Sequence, residues 1–315
     1  MRLRLNAPCN EMEAGVSQGS QDASVRNEVE LFFHDQAERG RQYDARGSVA
    51  DFDACVAEYA RLARKVNNEC VGIYDLRYGQ SRAERLDIFP TALGAQPAPV
   101  FVFIHGGYWR SQTKEDAPIM AQAFTRAGVA VCVLEYTLLP EATLAEVVRQ
   151  VRSAVAWLYR NGAGYGIEPD RLYVGGSSAG AHLAAMAAAQ DWTSSYGLPE
   201  DVVKGVAGLS GLYELAPLCE IAPNEWLQLH ADQTARVSPL HHLPRAGLPM
   251  VLTVGGLETD GFKNQTEAYD EACRAAGLAV NRVHVPQCNH FNLLCELAEP
   301  QSELCRAVLE MTGRA

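Results

Sequence analysis

Arg171-Leu-Tyr-Val-Gly-Gly-Ser-Ser-Ala-Gly-Ala-His-Leu183 is the stretch on which the reading of this chain turns. A short apolar run breaks into small residues and resumes as an Ala-rich helix expected over 179–189, with Gly-x-Ser-x-Gly centred on Ser178 inside it. A serine hydroxyl is a weak nucleophile and needs a base within reach, so it must stand clear of the backbone on a sharp strand-to-helix turn. Gly176 and Gly180 leave room for that turn. The helix that follows aims its N-terminal amides at the place where an oxyanion would form. The five-residue pattern is not specific by itself, because small residues between a strand and a helix are common in α/β folds. The surrounding chain decides its meaning.

Apolar runs at 100–104, 129–134, 172–174, 205–209, 249–254 and 281–285 alternate with helices expected over 117–127, 144–161, 264–276 and 299–311. Runs buried on both faces and separated by helices are the signature of a parallel sheet. Upstream, 74–78 and 85–90 read as antiparallel strands at a sheet edge, followed by a Gly/Pro-rich turn over 94–99. Two amphipathic helices are expected before them, at 25–39 and 51–66. In the second, Phe52, Cys55, Val56, Tyr59, Leu62, Ala63 and Val66 fall at helical spacing. The connection 42–48 crosses either the mouth of a site or plain surface. Residues 1–24 are polar and aperiodic and read as a tail without assigned function. The segment 213–243 interrupts the rhythm with prolines and tryptophan and reads as an inserted cap. The expected architecture is α/β: one domain over 25–315, a mostly parallel central sheet flanked by helices, with an N-terminal helical segment and a small cap.

The 315 residues are enough for a large core, and 48% of them are hydrophobic. The net charge of −11 comes from interspersed acids and bases, so no basic patch for nucleic acid and no polybasic run for a membrane surface is present. No apolar stretch suits a signal-peptide core or a bilayer span, which makes the expected location cytoplasmic. Nine scattered cysteines include no Cys-x-x-Cys pair, against both a disulfide framework and a structural zinc site. They read as buried apolar thiols.

His105-Gly-Gly-Tyr-Trp109 directly follows the 100–104 run. Ligands of open α/β sheets bind at the carboxyl ends of strands, and adjacent glycines there let backbone N–H groups turn inward. The oxyanion donors would be the N–H of Gly107, with Gly106 or Tyr108 beside it, and the N–H of Ala179 after the nucleophile. A base and an orienting acid should follow the serine in the order acid, then histidine. Of eight histidines, His290 lies in the loop after the last strand, on the side of the sheet where an imidazole meets Ser178. His284 reads as a core histidine, His182 as packing, and His105 as a brace for the glycine loop. The loop after the 249–254 strand offers Glu258 and Asp260; spacing after the Gly pair favours Glu258, while Asp260 is placed to cap the next helix. Tyr213, Asn224 and Trp226 of the cap, with Tyr108 and Trp109, are the expected substrate contacts. No His-Glu-x-x-His and no clustered ligand spacing suggests a metal or cofactor.

With these pieces the chain resembles the α/β-hydrolase superfamily, and within it the kynurenine formamidase (arylformamidase) group, close to the hormone-sensitive-lipase-like esterases. The resemblance runs from about Tyr43 onward. It rests on His105–Trp109, Glu135-Tyr-Thr-Leu-Leu-Pro140, Ser178-Ala-Gly-Ala-His-Leu183, Ser210-Gly-Leu-Tyr-Glu-Leu-Ala-Pro217 and Asn289-His-Phe291. In that family a carboxylate stands seven residues before a glutamine, as Glu258 stands before Gln265, which supports Glu258 as the acid. The family usually has aspartate there, and Gly-His-Ser-Ala-Gly where this chain has Gly-Ser-Ser-Ala-Gly. The resemblance implies cofactor-free hydrolysis of a small acyl amide, such as the formyl group of N-formylkynurenine, by Ser178, His290 and Glu258. It also makes a homodimer plausible. A short-chain carboxylesterase with the same triad and a non-catalytic ligand-binding protein are the rival readings, and the binding protein is disfavoured because all three triad residue types are present.

Overall fold

Eight strands form a single sheet in the order β1-β2-β4-β3-β5-β6-β7-β8. They are β1 (Ile73–Arg77), β2 (Arg85–Phe89), β3 (Ala98–Ile104), β4 (Ala130–Leu134), β5 (Ile167–Ser177), β6 (Val203–Leu209), β7 (Pro249–Gly255) and β8 (Ala279–Val285). β1 and β2 pair antiparallel, as do β2 and β4, whereas every pair from β4 to β8 is parallel. The computed structural model describes residues 29–91, 97–189 and 191–314. The expected tail over 1–24, the start of the 25–39 helix and part of the 94–99 turn lie outside these.

Every residue of β3 and β4 is buried, which is why their sequences are unbroken apolar runs rather than alternating ones. Helices flank the sheet: α1 (Gln36–Gln42), α2 (Phe52–Glu69), α3 (Ala121–Arg126), α4 (Leu144–Asn161), α5 (Ala179–Ala188), α6 (Trp192–Tyr196), α7 (Asn224–Leu227), α8 (Thr234–Val237), α9 (Asp260–Ala275), α10 (Asn292–Cys295) and α11 (Glu303–Met311). All ten residues of α5 are buried, so its alanines let it lie against β5 and β6. The longer α2 and α4 bury one stripe each and are capped by Asp51 and Thr143, whose side chains accept from the backbone N–H three residues on. At the edge, β8 buries only Val283 and Val285. Its His284 faces solvent rather than the core, because it points to the opposite face of the strand from the buried Val283 and Val285.

The strand order places the site. The chain runs from β3 to β4 on one side and returns to β5 on the other, so β3 and β5 flank the point where the winding reverses. Their registers bring Ile104 opposite Gly176, and ligands of open α/β sheets bind in the crevice that opens there. His105–Trp109 and Ser178 are the residues that leave the sheet at that crevice.

Some elements differ from expectation. The first helix starts only at Gln36, because Asp35 caps it by accepting from Ala37 N and Glu38 N. Arg39 donates back to the carbonyls of Phe32 and Phe33, which keeps 32–33 out of the helix. Val56 lies on the exposed side of α2. Between β6 and β7 the residues expected as a cap form only short helical pieces, α7 and α8 among them. No helix among the described residues is long and apolar enough to cross a membrane. Of the described cysteines, Cys132, Cys273, Cys288 and Cys305 are buried and Cys55, Cys70, Cys219 and Cys295 partly so, all as free thiols.

Candidate active site

Ser178 stands between β5 and α5 with φ 57° and ψ −120°, a conformation that L-residues avoid. It is held by crowding. A β-carbon on Gly180 would lie 2.0 Å from the Ile104 carbonyl oxygen, and one on Gly176 2.4 Å from the Gly180 carbonyl. Only glycine at both positions lets the helix start this close to the strand. The Ser178 N–H donates to Leu209 O at 2.8 Å, and its side chain is not spent as a helix cap.

Glu258 lies in the turn after β7. Its Oε1 accepts from Gly255 N–H at 2.6 Å and from the Ser210 hydroxyl at 2.5 Å, and its Oε2 lies 2.6 Å from His290 Nδ1. The Glu258 and His290 side chains are 0% and 5% exposed. A carboxylate only accepts, so Nδ1 is the donor and Nε2 is the ring nitrogen left to take a proton. The imidazole packs against Phe262, ring centroids 4.3 Å apart, and edge-on to Phe291. Asp260, by contrast, is the exposed first residue of α9 and pairs with Lys263 at 3.8 Å. Leu209 and Ser210, at the end of β6, join the two halves: one carbonyl anchors Ser178 and the next hydroxyl anchors Glu258. Ser178 Oγ and His290 Nε2 are not hydrogen-bonded to each other; such contacts commonly tighten when substrate is bound.

The loop after β3 curls through three consecutive positive φ values, Gly107 at 87°, Tyr108 at 51° and Trp109 at 58°. Arg110 N and Ser111 N both donate to Gly107 O at 3.1 Å. Among the described residues none accepts from the N–H of Gly106, Gly107, Tyr108 or Ala179, which leaves these groups for an oxyanion. His105 braces the loop: Nδ1 lies 3.1 Å from Gly106 O, Nε2 3.0 Å from Glu135 Oε1, and the ring stacks on Tyr136 at 4.3 Å. The Tyr136 hydroxyl donates to the carbonyls of His105 and Gly106. Glu135 Oε2 also accepts from Lys114 N, and Lys114 is buried in an ion pair with Asp87 at 2.8 Å.

Three expected substrate contacts need correction. Trp109 is 0% exposed and set edge-on to His182, and Tyr213 is 1% exposed and stacked on Tyr269 at 4.0 Å, so neither offers a surface to a ligand. The Asn224 amide is used inside its own loop, donating to Cys219 O and Leu229 O and accepting from Leu229 N. Tyr108 and Trp226 remain partly exposed and meet edge to face, with Trp226 Nε1–H donating to Tyr108 O. His182, at 0% exposure, lies 2.6 Å from Val237 O, and burial pushes its imidazole down to about 4.

Several supports of the site come from residues far apart in the chain. Ser210 follows the β6 run, but nothing in a one-dimensional pattern links it to Glu258. Tyr43 is 1% exposed: its carbonyl accepts from Tyr108 OH at 2.5 Å, its hydroxyl donates to Leu31 O at 2.8 Å, and its ring meets Phe262 edge to face. The 42–48 connection therefore packs at the site, where Gln42 also accepts from Thr259 Oγ1 and Gly261 N. Gln265 accepts from the N–H of Tyr213 and Glu214 at 2.8 Å each and donates to Tyr43 OH. Among the described residues no cluster of His, Cys, Asp and Glu suits a metal ion.

The BD-FAE family model matches residues 86–214, from β2 through the elbow at Ser178 to the turn after β6. Kynurenine formamidase of Salmo salar is 31% identical over 249 residues, spanning 77% of this chain and 83% of the relative. That of Danio rerio is 30% identical over 248 residues with the same shares. Among solved structures, a provisionally assigned thioesterase of Silicibacter sp. tm1040 superposes with a TM-score of 0.75 at 28% identity, over 86% of this chain and 98% of its own. The carboxylesterase EstE1, cloned from a metagenomic library, has the same fold, with a TM-score of 0.66 at 18% identity over 89% and 97%.

Proposed function

The chain belongs to the kynurenine formamidase family of α/β-hydrolases and is a hydrolase, and from that premise we propose that it cleaves a small acyl amide, foremost an aryl formamide such as N-formylkynurenine, through Ser178, His290 and Glu258. The observation that carries the reading is the buried Glu258–His290 pair at 2.6 Å, at the same end of the sheet as a serine on a strained, glycine-walled turn. Strain of this kind persists only where the surrounding structure enforces it.

In the proposed cycle Ser178 Oγ attacks the acyl carbon while His290 Nε2 takes the hydroxyl proton. Negative charge develops on the carbonyl oxygen and is met by the N–H of Gly107 and Ala179, with Gly106 or Tyr108 adjacent. Glu258 stabilises the imidazolium. Collapse of the intermediate returns the proton from His290 to the departing amine and leaves an acyl ester on Ser178. Water then repeats the attack with His290 as base, releasing the acid and restoring the serine. The cycle uses no cofactor.

The test is intact mass after incubation with a fluorophosphonate, for the wild type and Ser178→Ala, followed by rates on N-formylkynurenine and a short-chain aryl ester. One adduct, absent from the variant, is expected, with the formamide turned over faster. A folded protein that takes no adduct would sink the triad. The second reading, a short-chain carboxylesterase, draws support from the esterase neighbour, and a faster ester would favour it.

A further inference from the structure

Gln112 closes the loop that begins at His105, and its backbone has φ 65°. Glutamine has no intrinsic reason to be left-handed: a non-glycine residue held there is strained by about 1 kcal/mol or more. Its side chain is half-buried and hydrogen-bonds to none of the described residues. Its position is specific. Gln112 Oε1 and Ser178 Cβ lie 3.6 and 3.5 Å from the point that a β-carbon on Gly106 would occupy. That point is also 2.8 Å from Ser177 O, so the carboxamide oxygen and Ser178 flank the same residue, Gly106, in the loop whose amides are proposed to meet the oxyanion.

We infer that Gln112 is a specificity-determining residue that hydrogen-bonds a polar group of the substrate close to the scissile bond. The inference rests on the hydrolase reading of this site. A carboxamide carries both donors and an acceptor, and its bonds span about 2.9 Å. From its place beside Ser178 it reaches only groups a few bonds from the attacked carbonyl. The substrate class that fits is an acyl arylamine with a hydrogen-bonding substituent, such as a carbonyl, ortho to the acylated nitrogen. The backbone strain is the means of turning this side chain toward Gly106 rather than into solvent. An analogue lacking the ortho group would leave the amide without its ligand partner, and sites built around a hydrogen bond discriminate against such analogues.

The test uses the full chain and two matched pairs: formanilide with its ortho-acyl derivative, and phenyl acetate with its ortho-acyl derivative. The readout is the ratio of kcat/KM within each pair. In the wild type the ortho-acyl member is expected to be favoured, and Gln112→Leu is expected to lower that ratio about tenfold. Gln112→Gly removes the carboxamide while relieving the positive φ, so it should match the loss of discrimination with a melting temperature no lower than the wild type. A ratio unchanged in both variants, whether the rates fall together or not at all, would overturn the inference. Turnover of the acetates alone would sink the formamidase reading while the acetate ratio still reports on Gln112. Turnover of neither pair would overturn both.

Discussion

Glu258 is held by three partners, and each constrains a different degree of freedom. The Gly255 N–H and the Ser210 hydroxyl fix one carboxylate oxygen, and the other is turned onto His290 Nδ1. A glutamate, longer by a methylene than aspartate, needs that anchoring to hold a single rotamer. Glu258→Gln is expected to lower kcat by about 10³-fold or more, since an amide at this place favours the wrong imidazole tautomer. Asp260→Asn, at an exposed position paired with Lys263 alone among the described residues, should change kcat by less than about twofold. Steady-state rates of the two variants check the ranking, and the reverse order would move the acid to Asp260. Ser210→Ala should fall between them, because it removes one of the two bonds on Oε1 and leaves the Gly255 bond.

Among elements, the stretch from Leu31 to Ala45 does the most beyond its own length. It meets the loop after β7 through Gln42 and Phe262 and the loop after β3 through Tyr43 and Tyr108. Through Arg39 it also pairs with Glu220, beyond β6. Tyr108 is thereby held from two sides, with its hydroxyl on Tyr43 O and its carbonyl under Trp226 Nε1. Tyr108→Phe keeps the ring and removes the hydroxyl, leaving a buried carbonyl unpaired at a cost of about 1–3 kcal/mol. The expected outcome is a several-fold fall in kcat and in the rate of fluorophosphonate labelling with KM little changed. A variant with wild-type labelling and a lowered melting temperature alone would show that the contact serves stability only. Sequence periodicity located α2 and α4 to within a few residues, since their apolar stripes and caps are local. It misjudged the first helix, because the groups that end it, Arg39 on the carbonyls of Phe32 and Phe33, act through a side chain folding back on the chain.

For the molecule as a whole, one buried histidine couples stability to acidity. His182 sits in the helix that follows Ser178, and burial lowers its folded-state value from the usual 6.5 to about 4. The unfolded chain takes a proton there at a higher pH than the folded one, so protonation favours unfolding. The contribution is fully present above about 6.5 and is lost as pH falls through about 4. Its size is of the order of 3 kcal/mol. Denaturant midpoints measured from pH 7 to pH 4 should fall more steeply for the wild type than for His182→Gln, which can still donate toward Val237 O but does not titrate. Equal slopes would show that His182 is not a source of the acid sensitivity.

The alternation of buried runs and helices and the glycines around Ser178 are short-range facts, and the acid-then-histidine order is read directly along the chain; together they determined the sheet, its mostly parallel sense and a short list of chemical groups. They could do so because strand and helix periodicities, turn crowding and caps act over a few residues. Tertiary structure alone decided what those groups touch: that Ser210 and Gly255 hold Glu258, that Tyr43 meets the site across the gap between distant loops, and that Gln112 turns beside Ser178. It also decided that Trp109 and Tyr213, aromatic residues in suggestive loops, are packing. The physical reason is that hydrogen bonds and burial are set by distances between residues far apart in the chain, which strand order and register establish and no local pattern encodes.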